Sequence, residues 1–246
     1  MDNRHRQSLE GVAFTYDWYR TFLDRLGDAG YDFRTFSDGV GSGDVLLRHD
    51  VDLSVDKALA TARIEADRGI RATYCFLLGS ALYNPFDRDR REKIRAIQAL
   101  GHEIALHFST HEYWTDEERL ETGPVEARVE SEQEILGSIL PSVPETVSFH
   151  VPPSWVLGRD FERFRNTYAP AFFSEIGYVA DSGQRWRDTP PDVTDYPSSI
   201  QVLTHPGLWG ETDEDFETRV EQSIADACGH AEEKARMEFL EETADR

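Results

Sequence analysis

Residues 45–52 read Val-Leu-Leu-Arg-His-Asp-Val-Asp, a short apolar run followed by ionisable side chains. This pattern predicts a buried strand whose carboxyl end carries polar groups. Asp50 and Asp52 are two residues apart, so both side chains leave the same face if the strand persists. Two carboxylates in one place require a cation or a shared proton. The alternative interpretation is that Asp52 caps the next helix and Asp50 is solvated.

Short apolar runs and helical segments alternate along the rest of the chain. Further strands are predicted at 73–78, 103–108, 146–150, within 171–180 and at 200–204. Helices are predicted over 14–26, 55–68, 88–100, 125–140 and 214–240, with a short one at 161–166. In the last helix an apolar stripe that docks on the body is predicted from Phe216, Val220, Ile224 and Cys228. The alternation indicates an α/β fold, a parallel sheet with helices outside it, and it fits an open sheet or a closed barrel.

The composition predicts a folded, single-domain chain with an acidic surface. Hydrophobic residues make up 39% of the 246 residues, which excludes a wholly disordered chain. No stretch reads as a linker, so we expect one domain over 1–246. The 47 Asp and Glu outnumber the 26 Lys and Arg, and the net charge of −21 argues against a nucleic-acid partner. Only three of the cations are Lys, and scarce Lys with dispersed acid favours a halophilic protein.

The sequence predicts a cytoplasmic protein without a membrane span. No run approaches the roughly 20 apolar residues that a span requires. The segment Met1–Leu9 is polar and lacks the apolar core of a signal peptide. Cys75 and Cys228 are far apart and offer neither a disulfide framework nor a cysteine zinc site. The pattern does not indicate an oligomeric state.

Six of the eight histidines lie at or just beyond predicted strand ends. His107 and His111 are four apart, a spacing that brings two imidazoles to one metal ion in a helix or a tight turn. His205 follows a strand and precedes Pro206 and Gly207, which places it on a loop at the carboxyl end of the sheet. Each of these histidines also has a structural interpretation, as a core, surface or loop residue.

Taken together, the acids and imidazoles predict a catalytic metal site. One carboxylate and two imidazoles fill three positions of a zinc-type ion and leave one position for water. A second carboxylate and a third histidine remain for general base and general acid catalysis. Tryptophans that follow these segments are candidates for stacking on sugar rings, with core packing as the alternative for each: Trp114, Trp155, Trp186 and Trp209.

Five polar segments occur in a fixed order between residues 46 and 209, about two thirds of the chain. They are Arg48-His49-Asp50-Val51-Asp52, Gly101-His102-Glu103-Ile104 with His107-Phe108-Ser109-Thr110-His111, Phe149-His150-Val151-Pro152-Pro153, Asp181-Ser182 and Leu203-Thr204-His205-Pro206. This order resembles the polysaccharide deacetylases of carbohydrate esterase family 4, the NodB-homology domain. It is closest to the intracellular branch found among surface-polysaccharide biosynthesis proteins, and the His-x-x-x-His segment is the most specific match.

The resemblance implies a distorted, TIM-like (β/α) barrel of about seven parallel strands, with N-terminal and C-terminal helices packed on it. It further implies that a divalent ion, Zn in preference to Mn, Co or Ni, is held by Asp52, His107 and His111. The implied general base, general acid and orienting residue are Asp50, His205 and Asp181. The implied substrate contacts are His150, Pro152, Trp155 and Trp209.

The implied function is removal of an acyl group, chiefly acetyl, from an N- or O-acylated sugar in surface-polysaccharide metabolism. Two positions depart from the family pattern. His49 replaces an aromatic residue, and His150 replaces an arginine that pairs with the base, for which Arg48 or Arg185 are candidate substitutes. Two alternatives remain: a metal-dependent amidohydrolase acting on a small non-sugar amide, and a catalytically inactive carbohydrate-binding protein.

Overall fold

The computed structural model of the protein describes residues 11–115 and 122–241. The polar segment Met1–Leu9, with His5, lies outside the described residues. The strands are β1 (Asp32–Arg34), β2 (Asp44–Val51), β3 (Thr73–Leu77), β4 (Glu103–Ser109), β5 (Thr146–His150), β6 (Arg165–Asn166), β7 (Gly177–Ala180) and β8 (Ile200–Thr204). The helices are α1 (Tyr16–Asp28), α2 (Val55–Ala66), α3 (Arg88–Ala99), α4 (Thr122–Gly137), α5 (Pro170–Phe173) and α6 (Phe216–Arg236), which continues into a π-helical turn, Met237–Glu241.

Seven of the strands form one curled parallel sheet in the order β6-β5-β4-β3-β2-β8-β7, and β1 pairs with β2 beside this path. Every pairing is parallel, as the alternation of strands and helices predicted. The sheet curls into a half-barrel with helices around it, which confirms the distorted (β/α) barrel. The carboxyl ends of β2, β4, β5 and β8 therefore meet at one rim.

Local sequence explains where the first helices begin. Thr15 caps α1 by accepting a hydrogen bond from the Trp18 amide, and Ser54 caps α2 in the same way from Lys57. The buried face of α1 carries Phe22 and Leu26, as the four-residue spacing predicted. Within the described residues, no helix combines the length and the hydrophobicity that crossing a membrane requires.

The predicted short helix over 161–166 is wrong. Residues 165–166 form β6, which pairs with Thr146 and Val147 at the edge of the sheet. Phe161 and Phe164 are three apart, a spacing typical of a helix, but here both rings pack on Phe149 from an irregular segment. Edge pairing and aromatic packing determine the conformation of this segment, and the spacing of its aromatic residues does not reveal either of them.

The predicted docking stripe of the last helix is also wrong. Phe216 and Ile224 are 46% and 47% exposed, and Cys228 is exposed as well. The helix is attached instead by polar contacts, because Arg219 is buried and its Nε donates to the carbonyl oxygen of Leu208 at 3.2 Å. The amphipathic pattern is present in the sequence, but its apolar side does not face the barrel.

Candidate metal centre and active site

Strand β2 supplies side chains to both faces of the sheet because successive residues alternate. Arg48 and Asp50 point into the barrel, and Asp52 follows just past the end of the strand. His49 points the other way, towards Glu65 on α2. Arg48, His49 and Asp50 are each 3% exposed or less. One strand thus carries a site on its inner face and a separate polar cluster on its outer face.

Three ligand atoms from three strand ends converge at the rim. Asp52 Oδ1 lies 3.1 Å from His107 Nε2 and 3.4 Å from His150 Nδ1, and the two imidazole nitrogens are 3.2 Å apart. Four ligands at about 2.1 Å from a tetrahedral ion stand about 3.4 Å from one another. These three residues, the metal cluster, are therefore spaced as three ligands of one divalent ion and can hold it.

Two further observations fit a cation in the metal cluster. Asp52 Oδ1 is buried and accepts no hydrogen bond from any described residue, and a buried acceptor without a donor is costly unless a ligand satisfies it. His107 Nδ1 lies 3.2 Å from the carbonyl oxygen of Ser148. A carbonyl can only accept, so Nδ1 carries the proton and Nε2 presents its lone pair to the cluster.

Arg48 uses all five of its N–H donors inside the barrel. Nε and Nη2 donate to the two oxygens of Asp50 at 2.9 and 2.7 Å, a bidentate pair. The remaining donors reach Thr167 Oγ1, Gln201 Oε1 and the Tyr168 hydroxyl at 2.6–3.0 Å. Burial would raise the pKa of Asp50, but the charge of Arg48 holds that pKa well below its usual range. Asp50 is therefore ionised and fixed in orientation.

On the other side of the metal cluster, His205 is held by Asp181. His205 Nδ1 lies 2.6 Å from Asp181 Oδ1, and Trp209 Nε1 donates to Asp181 Oδ2 at 2.9 Å. His205 Nε2 lies 3.9 Å from Asp52 Oδ2. Burial would lower the pKa of His205, but the carboxylates of Asp181, Asp52 and Asp50 raise it to about 9. The imidazolium can donate a proton beside the metal cluster at neutral pH.

The structure brings most of the predicted catalytic and metal residues together. Asp50, Asp52, His107, His205 and Asp181 all lie at this rim. His150, predicted as a substrate contact, lies in the metal cluster itself.

His111 lies outside the metal cluster. It is exposed, and its Nε2 is 3.3 Å from the carbonyl oxygen of Val151. Its predicted role as a ligand remains a prediction.

The predicted substrate contacts differ in exposure. Pro152 and Trp155 are half-buried on the segment after β5. Trp209 is fully buried, so its ring packs in the core while its N–H holds Asp181. Arg185 donates to the carbonyl oxygen of Ser182, whereas Arg48 makes the pair with Asp50. The alternation of side chains along β2 is the signal that could have selected Arg48 over Arg185, since Arg48 and Asp50 share a face.

The fold and site define a parallel α/β half-barrel with a mononuclear metal-type centre at its carboxyl rim. No protein-family model and no curated protein matches the chain. Among solved structures, it is similar to a family 4 carbohydrate esterase from Streptomyces lividans in complex with acetate, at 17% identity and a TM-score of 0.39, over 74% of this chain and 87% of that one. It is also similar to a Streptococcus pyogenes deacetylase in complex with acetate, at 15% identity and a TM-score of 0.45, over 81% and 87%.

A third similar structure is a family 4 pseudoenzyme from Bacillus anthracis, at 14% identity and a TM-score of 0.42, over 76% of this chain and 60% of that one. These structures include members of the family that the sequence motifs resemble.

Proposed function

We propose that the protein is a metal-dependent hydrolase that removes an acyl group from an N- or O-acylated sugar, as a member of carbohydrate esterase family 4. One observation carries the proposal: the ligand atoms of Asp52, His107 and His150 lie within 4.8 Å of one another, and one of them, Asp52 Oδ1, is buried and accepts no hydrogen bond from a described residue. Asp50 Oδ2 lies 3.8 Å from His107 Nε2, and His205 Nε2 lies 3.9 Å from Asp52 Oδ2. An ion centre flanked by a fixed carboxylate and an imidazole is suited to acyl transfer to water.

Each residue has a separate task in this proposal. Asp52, His107 and His150 would hold the ion, which when bound supplies Lewis acidity and lowers the pKa of water. Asp50 accepts the proton of the attacking water, and Arg48 fixes its orientation. Asp50 Oδ2 lies 3.8 Å from His107 Nε2, so the base stands at the edge of the metal cluster.

His205 donates a proton to the leaving amine or alkoxide. Asp181 fixes the ring by accepting from Nδ1, which leaves Nε2 directed towards Asp52. The acid and the base therefore stand 3.9 and 3.8 Å from atoms of the metal cluster, close enough to move protons at one acyl centre.

The finer points of the proposal rest on chemistry and on the motif resemblance. One carboxylate and two imidazoles form a ligand set typical of zinc. Trp155 is half-buried on the segment that follows β5, and its ring is our candidate surface for a sugar ring. We propose an acylated carbohydrate of surface-polysaccharide metabolism as the substrate and the cytoplasm as the location. The excess of acid over Lys supports function at high salt.

Metal analysis combined with acetate release tests the proposal. The purified protein is stripped with a chelator and reconstituted with Zn, Mn, Co or Ni, and acetate is measured on a panel of acetylated sugars and small acetylated amides. We expect acetate release only from reconstituted protein and only from the sugars. Release of acetate from the small amides alone would show that the substrate is a non-sugar amide. Metal binding and glycan binding without acetate release would contradict the catalytic role.

A further inference from the structure

A groove of about 650 Å³ opens from the metal cluster between the loop after β3 and helix α4. Its inner end is formed by the three metal-cluster residues. Its walls carry Leu78, Leu82 and Phe86 on one side, and Tyr113 and Ile135 on the other. The volume lies within the range of small-molecule pockets, roughly 300–1,000 Å³, and far exceeds that of an acetyl group.

Large apolar side chains are exposed along this groove. Phe86 is 37% exposed, Tyr113 40% and Ile135 48%. Three such residues along one cavity beside a catalytic centre indicate a binding surface, because apolar area of this kind is costly to leave in water. An apolar ligand segment would cover it.

The charges of the described lining disfavour an anionic occupant. Glu112 and Glu132 line the groove, whereas none of the described lining residues is Lys or Arg. The Glu112 side chain reaches across the groove to the loop that carries Gly79. A Cβ added to this glycine would lie 3.7 Å from Glu112 Cδ. Glu132 accepts a hydrogen bond from the Tyr113 hydroxyl. Arg128 stacks on the Tyr113 ring 4.4 Å from its centroid and is not part of the lining.

The position of His205 decides which part of the substrate enters. His205 does not line the groove, and its Nε2 faces Asp52 Oδ2. The groove instead begins beside Asp52 Oδ1, the oxygen that faces His107 and His150. The leaving group must reach His205, so the chain on the other side of the acyl carbon is the part that points into the groove.

We propose that this groove binds the acyl chain of the substrate, and that the enzyme prefers a neutral acyl group longer than acetyl. The inference rests on the proposed function. The reaction is a hydrolysis. Water adds to the acyl carbon, the C–N or C–O bond breaks, and the acyl chain leaves as a carboxylic acid while the amine or alcohol leaves with the proton that it receives. The substrate class is thus an amino sugar or sugar ester carrying a neutral alkyl acyl chain.

A chain-length series on one sugar tests the groove. The substrates are N-acetyl-, N-butanoyl-, N-hexanoyl- and N-succinylglucosamine, with matched O-acyl esters, and the readout is kcat/KM on metal-loaded protein. We expect kcat/KM to rise by up to about fourfold for each methylene that becomes buried. Succinyl should be a poorer substrate than butanoyl, since its carboxylate faces Glu112 and Glu132.

Matched variants assign the preference to the groove. Ile135→Glu should lower the ratio of hexanoyl to acetyl turnover, whereas Ile224→Glu, an equally exposed helical isoleucine on α6, should leave both turnover and ratio unchanged. Glu112→Lys should narrow the gap between succinyl and butanoyl. Acetyl turnover that exceeds that of every longer chain, or a ratio that Ile135→Glu does not change, would overturn the inference while the proposed function stands. Absence of turnover at every chain length would remove the proposed function and this inference with it.

Discussion

The two faces of β2 carry two clusters built from the same residue types. On the outer face, Glu65 meets His49, and these two together with Tyr19, Tyr74 and His102 form the outer cluster. On the inner rim lies the metal cluster. Both contain a carboxylate and two imidazoles, but the Glu65 side chain is fully buried whereas that of Asp52 is 22% exposed.

The clusters differ in what their carboxylates accept. The two oxygens of Glu65 take hydrogen bonds from the hydroxyls of Tyr19 and Tyr74 at 2.5 and 2.8 Å. Asp52 Oδ1 takes none from the described residues. A satisfied carboxylate stabilises a core, whereas an unsatisfied one indicates a ligand. Residue type alone therefore does not separate the two clusters; the two tyrosine hydroxyls that donate to Glu65 distinguish the outer one.

The largest expected effect of a single substitution is on the rate. His205→Ala and Asp50→Asn should each reduce kcat by about 10²–10⁴-fold while metal content stays unchanged, because both act on protons and neither is in the metal cluster. Steady-state kinetics with elemental analysis measures both quantities. Tyr74→Phe, in the outer cluster, should lower stability but leave kcat near that of the wild type. A kcat loss in Tyr74→Phe as large as those in His205→Ala and Asp50→Asn would break the distinction between the outer cluster and the site at the rim.

The next effect concerns the buried ion pair under the site. Arg48→Met removes the bidentate partner of the Asp50 carboxylate and leaves its charge buried, with Ser148 Oγ still donating to it at 3.2 Å. We expect a loss of about 3–5 kcal/mol in the free energy of unfolding, measured by denaturant titration. The double variant Arg48→Met, Asp50→Asn should recover part of this loss. A single variant as stable as the wild type would show that the pair is not needed to stabilise the barrel.

Acid should destabilise the outer cluster. Burial would raise the pKa of Glu65, but His49 and His102 hold it below its usual value, and burial lowers the pKa of His102. Both groups bind protons more weakly when folded than when unfolded, where they titrate near 4.3 and 6.5. Their contribution to stability is therefore present above those values and is lost as pH falls through the folded pKa values.

Glu65→Gln tests this pH dependence. Its free energy of unfolding should fall less between pH 7 and pH 4 than that of the wild type, measured by denaturant titration at each pH. The exposed Glu217→Gln serves as the control and should keep the slope of the wild type. A Glu65→Gln variant with an unchanged acid response would exclude Glu65 as the group responsible.

The smallest effect concerns backbone strain beside the metal cluster. Val151 has φ 44, in the left-handed region that costs a β-branched residue about 1–2 kcal/mol. Val151→Gly should therefore leave stability unchanged or raise it by up to about 1 kcal/mol, despite the entropy of glycine. Val143→Gly, at an exposed valine whose φ is not positive, should be destabilising. Thermal denaturation compares the two, and equal losses would show that Val151 is unstrained.

The sequence predicts the parallel α/β fold because strand and helix periodicities are local. It also predicts that acids and histidines follow β2, β4 and β8. It does not predict that His150 joins Asp52 and His107, because that contact depends on how β5 pairs with β4. The apolar stripe of α6 has the right spacing for docking, but nothing in the spacing shows that Arg219 and Ser223 are the residues that become buried.

Metal stoichiometry of single variants tests the central claim most directly. After dialysis against a weak chelator, elemental analysis of the wild type should give about one divalent ion per chain. Asp52→Ala, His107→Ala and His150→Ala should each lose the ion, and Glu65→Gln in the outer cluster should keep it. Wild-type metal content in His150→Ala, with loss of the ion in His111→Ala, would place the third ligand at His111. Wild-type metal content in all three metal-cluster variants would contradict the account.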